Sequence, residues 1–313
     1  MYTGCTQGRS GPHAEVCAID AAGAQSRGAT LYVTLEPCAH HGATPPCADA
    51  VIAAAIRRVV IALEDPDPRV AGQGIARMRD AGIEVVVGVG ALEAESQLAA
   101  YLHHRRTGRP LVVLKLAATL DGFTAAPDRS SQWITGPEAR LDAHRLRADC
   151  DAILVGAGTV RADDPSLTVR LPPGEFDDVE HRQPKRFVLG QAPATAKVHP
   201  CTEVRAPLPD VLDLLGRDGV LQVMVEGGAT VARDFHAAGL VDRYALYLGA
   251  KMLGGDDGLG MFHGPGVGTI MDAADLEITG VAMVGTDVRI DARPSAQWAS
   301  LAASARADYH EGD

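Results

Sequence analysis

Glu36-Pro37-Cys38-Ala39-His40-His41-Gly42-Ala43-Thr44-Pro45-Pro46-Cys47, read together with His13-Ala14-Glu15 upstream, decides how the first part of this chain folds. One imidazole and two thiolates in that order supply three protein ligands to an ion and leave a fourth position for water, the layout of a catalytic zinc site. The donors His13, Cys38 and Cys47 are soft to borderline and favour zinc over magnesium or calcium. Ala29-Thr30-Leu31-Tyr32-Val33-Thr34-Leu35 is apolar and β-branched and reads as a buried strand leading into Cys38. Pro45-Pro46 opens a helix over 47–57 with Cys47 at its start, where the partial positive charge of a helix N-terminus favours the thiolate.

Glu15 stands two residues beyond His13. Positions two apart on a helix do not share a face, so one is a ligand and the other a carboxylate that approaches the zinc-activated water from a different side. Zinc lowers the pKa of that water toward neutrality, and Glu15 takes its proton and delivers it to a ring nitrogen and then to a leaving amine. His-x-Glu followed by Pro-Cys and a second Cys is the signature of zinc deaminases. The competing reading is a closed structural site with His40 or His41 as fourth ligand; His41 is otherwise a substrate contact and His40 a surface residue.

Outward from this stretch, strands at 58–63 and 83–87 alternate with helices at 73–81 and 91–106, the last with Leu92, Leu98 and Leu102 on its apolar side. That alternation implies βαβ units and a mostly parallel sheet. His103-His104-Arg105-Arg106-Thr107-Gly108-Arg109-Pro110 is basic and ends in Gly and Pro, and marks a domain boundary. The domains read as 1–107, 110–291 and a loosely attached tail over 292–313. Strands are expected in the second domain at 111–117, 152–155, 186–189, 221–225, 243–249 and 281–290, with helices at 137–148 and 229–238.

The chain has 313 residues and a formal net charge of −11. That charge argues against nonspecific nucleic-acid binding, which needs a basic footprint, and leaves room for a small anionic substrate held by local arginines. No apolar run is long enough to span a membrane, and Met1-Tyr2-Thr3-Gly4-Cys5 has no signal-peptide pattern. A cytoplasmic location follows, and there Cys5, Cys17, Cys150 and Cys201 stay reduced.

The second domain opens with Lys115-Leu116-Ala117-Ala118-Thr119-Leu120-Asp121-Gly122, then carries Ser131-Gln132-Trp133-Ile134-Thr135, the stretch 156–165 (GAGTVRADDP) and Glu226-Gly227-Gly228-Ala229-Thr230. A Gly-Gly turn at a helix start lets backbone amides approach a phosphate closely; a simple helix cap explains it equally well.

Taken together these segments resemble the bifunctional deaminase-reductase family of riboflavin biosynthesis. The likeness runs from His13 through Glu64-Asp65-Pro66-Asp67-Pro68 and Val70-Ala71-Gly72-Gln73-Gly74 into the second domain. Eight residues separate Cys38 from Cys47, against about two in ordinary nucleoside deaminases. The resemblance implies a cytidine-deaminase-like αβα domain followed by a dihydrofolate-reductase-like α/β domain. It places a helix and two strands ahead of the His-x-Glu helix; twelve residues precede His13, so a sheet short of those elements, with an unpaired strand edge, is expected. It implies Zn2+ and NADPH as cofactors and a phosphorylated pyrimidine as substrate. Ala117, Trp133, Thr159 and Asp163 would line the NADPH pocket, with Gly228, Ala229, Thr230 and Asp234 around its phosphates. Ser131, Arg147, Leu167 and Arg170 would hold substrate, the arginines facing its phosphate, and Glu226 would contact the sugar. Lys115, Asp163 and Glu226 are the candidates for orienting the sugar and moving protons. Gly190-Gln191 stands where the family pattern has Asp-Ser, and Arg161 is a candidate for meeting a 2′-phosphate. A homo-oligomer is the expected state. The rival readings are a reductase whose first domain only binds zinc, a nucleic-acid deaminase, and a non-enzymatic zinc module.

Overall fold

The computed structural model describes residues 1–7, 11–42, 44–172 and 183–295. The chain divides into two compact units, Met1–Thr107 and Gly108–Asp313.

The first unit runs α1 (Ala14–Ala22), β1 (Thr30–Leu35), α2 (Cys47–Ala53), β2 (Arg58–Leu63), α3 (Gln73–Asp80), β3 (Glu84–Val87), α4 (Ala91–Gln97) and α5 (Ala99–Thr107). Among the described residues its three strands pair in parallel in the order β1-β2-β3. Parallel neighbours need crossover connections, which α2 and α3 supply. The central strand β2 buries Val59, Val60, Ile61 and Ala62 in succession, because both of its faces are covered. Val51 from α2 and Ile75 and Met78 from α3 close the core over it. The single helix expected over 91–106 is two, broken at Leu98. The break resets the helical phase, so Leu102 is buried while Leu92 is 81% exposed and is not on the apolar side.

The second unit contains β4 (Leu111–Thr119), β5 (Phe123–Ala125), α6 (Pro137–Ala148), β6 (Ala152–Gly156), α7 (Ala157–Asp163), β7 (Lys185–Leu189), β8 (Thr202–Val204), α8 (Leu208–Arg217), β9 (Gln222–Val225), α9 (Ala229–Ala237), β10 (Arg243–Gly249), β11 (Leu259–Gly260), β12 (Leu276–Val284) and β13 (Asp287–Pro294). The described strands build a sheet in the order β12-β13-β10-β4-β9-β6-β7-β8. From β10 to β8 all pairs are parallel; β13 and β12 add antiparallel at one end. Alternate residues of each strand face opposite sides. Leu114, Leu154, Val225, Leu215 and Phe235 therefore pack one core and Ile153, Val155, Met224 and Val160 another.

Three expectations change here. The strand expected over 281–290 is a hairpin that starts earlier, at Leu276, and turns through Gly285-Thr286 with Gly285 at φ 65°. A two-residue hairpin turn needs such a positive φ, and one glycine inside an apolar run is a faint signal. The tail expected from 292 does not begin there, because Ala292 is buried and pairs with Tyr244 and the strand continues to Pro294. Residues 296–313 of that expected tail lie outside the described residues. Finally, α8 stands where no helix was expected, although Pro207 precedes it and Val211, Leu212 and Leu215 recur at helical spacing on its buried face.

Candidate active sites

His13 caps the N-terminus of α1, Cys38 lies in the loop after β1, and Cys47 is the first residue of α2. Their ligand atoms all lie within 4.8 Å of one another. His13 Nδ1 is 3.1 Å from Cys47 Sγ and 3.8 Å from Cys38 Sγ, and the Cys47 backbone N–H donates to Cys38 Sγ at 3.4 Å. Hydrogen bonding from the Cys47 thiol pulls Cys38 down to about 5; burial opposes this, and the Cys47 N–H and His13 assist. The Cys47 thiol moves the other way, first through its bond to Cys38 and then through burial. One imidazole and two sulfurs at these distances form a donor set that fits zinc.

Glu15, in the first turn of α1, is buried, and burial raises its carboxyl above the ordinary 4.5 while His13 pulls it back. A carboxyl shifted toward neutrality beside a ligand cluster suits a group that takes up and returns a proton. His41 is exposed and supplies no ligand atom to the cluster among the described residues.

Sequence reading missed the residue that fixes the ligand loop. The buried Glu36 carboxylate accepts from the backbone N–H groups of Asp65, Gly72 and Ile75 at 3.3, 2.9 and 3.0 Å. It ties the loop after β1 to the loop after β2 and to α3. At Gly74 a Cβ would stand 1.9 Å from the Pro37 carbonyl oxygen, so only glycine allows this approach. Further along the same loop, hydrogen bonds from Arg69 hold the Asp67 carboxyl well below the usual carboxylate range.

In the second unit β4, β9 and β6 are parallel neighbours. Their carboxyl ends lead toward the starts of α9 and α7, and it is outside such strand ends that open α/β sheets bind ligands. Lys115 and Ala117 share one face of β4, and Lys115 Nζ stands 5.7 Å from the centre of the Tyr247 ring. A Cβ on Gly228 would meet Thr159 Oγ1 at 2.9 Å, so the turn before α9 lies tight against α7. Ala229 and Thr230 open α9, and its amides are available to a phosphate. Asp234, further along α9, pairs with Arg233 at 3.1 Å. Asp163 ends α7 and is exposed, and Ser131 is half-buried in the loop before α6. Trp133 is 59% exposed, with the Arg140 guanidinium 4.4 Å from its ring centre.

Arg147, expected at the substrate phosphate, is bonded to Glu226 and Thr168 in this structure. Its Nε and Nη2 donate to the two Glu226 carboxylate oxygens at 2.8 and 3.0 Å, and Nη1 donates to the Thr168 carbonyl at 2.6 Å. The two side chains are only 10% and 13% exposed. Burial works against the Glu226 charge, but Arg147, and after it Lys115, outweigh burial and hold the carboxyl below its ordinary range. Arg170 remains exposed, with Nη1 2.8 Å from both Ser166 Oγ and Thr168 Oγ1. The Leu167 side chain belongs to the core, at a φ of 52°. His144 was not anticipated. Its Nδ1 accepts from the Arg170 backbone at 3.2 Å, and burial, with Arg147 and Arg170, pushes the ring down to about 4. It is therefore neutral near pH 7 and adds no charge to a strongly cationic corner.

Comparison with known proteins agrees with both halves. Residues 1–63 match the cytidine and deoxycytidylate deaminase zinc-binding region, and residues 110–290 match the RibD C-terminal domain. The riboflavin biosynthesis protein RibD of Bacillus amyloliquefaciens is 42% identical over 90% of this chain and 84% of its own length. That of Escherichia coli K12 is 41% identical over 88% and 85%. Among solved structures, Acinetobacter baumannii RibD superposes with a TM-score of 0.86 at 36% identity, covering 92% of this chain and 86% of that one. A diaminohydroxyphosphoribosylaminopyrimidine deaminase/5-amino-6-(5-phosphoribosylamino)uracil reductase of Thermotoga maritima follows at 0.80 and 33%, covering 91% and 86%. With a zinc-binding deaminase domain leading into a reductase domain, the chain belongs to the RibD family of bifunctional riboflavin-biosynthesis enzymes.

Proposed function

We propose that the first unit hydrolyses the 2-amino group of 2,5-diamino-6-ribosylamino-4(3H)-pyrimidinone 5′-phosphate and that the second reduces the ribosyl group of the product to ribityl. The observation that carries the first step is the convergence of His13, Cys38 and Cys47 beside a buried carboxyl of raised pKa. Zinc held by those three residues lowers the pKa of a water toward neutrality. Glu15 would take one proton from the attacking water and pass it to the ring nitrogen, then take the proton of the hydroxyl so added to the carbon and pass it to the amine, which departs as ammonia. His41, exposed at the mouth of the ligand loop, contacts substrate.

For the second step NADPH supplies the hydride. The tight Gly228–Thr159 approach, a cradle that any side chain would fill, supports a dinucleotide phosphate at the start of α9. Ala117, Trp133, Thr159, Asp163 and the 228–234 segment hold the cofactor; Ser131, the Leu167 backbone and Arg170 hold substrate. Glu226, kept ionised and fixed by Arg147, accepts hydrogen bonds from sugar hydroxyls. Lys115 and Asp163 are the groups that move a proton to the sugar-ring oxygen, which is released from the anomeric carbon as that carbon takes the hydride.

A cytoplasmic homo-oligomer is part of the same reading. The six cysteines are free thiols, in keeping with a reducing compartment, and no helix among the described residues is long and apolar enough to cross a membrane. The outer strand β12 exposes Ile278 and Met283 by 63% and 67%, and an apolar edge strand is a template for a second chain.

Ammonia release and NADPH oxidation, measured separately on the zinc-loaded full chain, test the reading. Chelation is expected to abolish ammonia release and to leave NADPH oxidation on already deaminated substrate intact. A folded, zinc-loaded chain that releases no ammonia confines the function to reduction.

A further inference from the structure

We propose that Arg161 and Arg205, meeting at Gln191, bind the 2′-phosphate of the adenosine end of the dinucleotide and so select NADPH over NADH. The inference rests on the reductase reading above and deepens it.

Arg161 projects from α7 and Arg205 follows β8 directly. Arg161 Nη1 donates to the Gln191 carbonyl at 3.5 Å, and Arg205 Nη2 donates to Gln191 Oε1 at 2.9 Å. Both arginines are exposed, and among the described residues neither has a carboxylate in ion-pair range. Two guanidinium groups thus converge on one neutral amide residue in a chain of net charge −11. Charge-assisted bonds from arginine to phosphate are roughly twice as strong as those to a neutral acceptor, so a dianion is the better occupant. Two acids of the adjoining segments are engaged elsewhere. Glu203 Oε1 accepts from the Ala192 N–H at 3.0 Å, and Asp164 pairs with Lys197 at 3.2 Å.

The placement suits one nucleotide. β9, β6 and β7 are consecutive parallel strands, so the end of β7 lies about two strand spacings, ~10 Å, from the end of β9. α7 bridges the two ends: Thr159 touches the Gly228 turn and Arg161, two residues on, reaches Gln191. A ribose whose diphosphate sits at Gly228 carries its 2′ position toward Gln191. In open α/β sheets an acid at such a place takes the 2′-hydroxyl of NAD, whereas arginine accommodates the 2′-phosphate of NADP. Gln191 carries no charge to repel it.

Calorimetric titration of the full chain with adenosine 2′,5′-bisphosphate and with adenosine 5′-monophosphate tests this without turnover. The wild type is expected to prefer the bisphosphate by about tenfold or more, as charged hydrogen bonds of this class allow, and the preference should shrink as salt is raised. Arg161→Ala and Arg205→Ala should each cut the preference and the double variant should erase it, at unchanged melting temperature. Lysine at both positions should restore part of it. Equal affinity of the wild type for both nucleotides overturns the inference and leaves the reductase reading standing, as does a preference that survives the double variant. Binding of neither nucleotide to the wild type sinks the dinucleotide reading itself, and this inference with it.

Discussion

Arg147 and Glu226 have little water around them, so each supplies most of the other's solvation. Removing one partner of such a pair leaves a buried unpaired charge, and Arg147→Met is expected to lower unfolding stability by about 3–5 kcal/mol, read by urea denaturation at pH 7. The pH dependence has a definite sign. Because Glu226 is held below its ordinary 4.5, the pair contributes its full stability above that pH and loses it as pH falls through the folded value. The penalty for Arg147→Met should therefore shrink on acidification, and a penalty that stays constant down to pH 3 would speak against the pair. Neither this pair nor the Glu36 anchor was legible in the sequence, whereas His13, Glu15, Cys38 and Cys47 were. The proposed zinc donors are rare residue types at a spacing that carries meaning. The partner of Arg147 lies 79 positions away, and all three Glu36 bonds come from backbone N–H groups, of Asp65, Gly72 and Ile75, which every residue type but proline presents.

Among the elements, the buried strands at 58–63 and 152–156 announced themselves as apolar runs, because sequence periodicity reports burial; β1, read as buried, is a strand but only half-buried, with Tyr32 73% exposed. The split of the helix at Leu98 and the hairpin turn at Gly285 did not, since each is a local backbone decision made by tertiary packing. The α9 start carries the prediction that belongs to this scale. A valine at Gly228 would press its Cβ to within 2.9 Å of Thr159 Oγ1 and push the turn off α7. Overpacking of this kind costs about 1–3 kcal/mol. Gly228→Val is thus expected to raise the KM for NADPH by roughly tenfold or more while ammonia release, which draws on the other unit, stays at the wild-type rate. A normal KM in the variant would remove the phosphate from this turn.

At the level of the whole molecule, β12 is the outer strand of the large sheet and the two-residue turn at Gly285 sends it back along β13. If copies of the chain pair there, Ile278→Lys or Met283→Lys should reduce the assembly to a smaller species in light scattering, with the far-UV circular dichroism of the wild type. Unchanged mass would place the interface elsewhere. The basic stretch 103–110, ending in Gly and Pro, spans the point where Gly108 begins a new compact unit. The proposed zinc-site residues lie between His13 and Cys47, and the proposed substrate- and cofactor-holding residues of the second unit lie between Lys115 and Asp234. A protease that nicks the stretch at Thr107-Gly108 consequently severs no catalytic set. Two bands on a gel would not by themselves mean a lost reaction, and flux through each step has to be assayed in such a preparation rather than inferred from chain integrity.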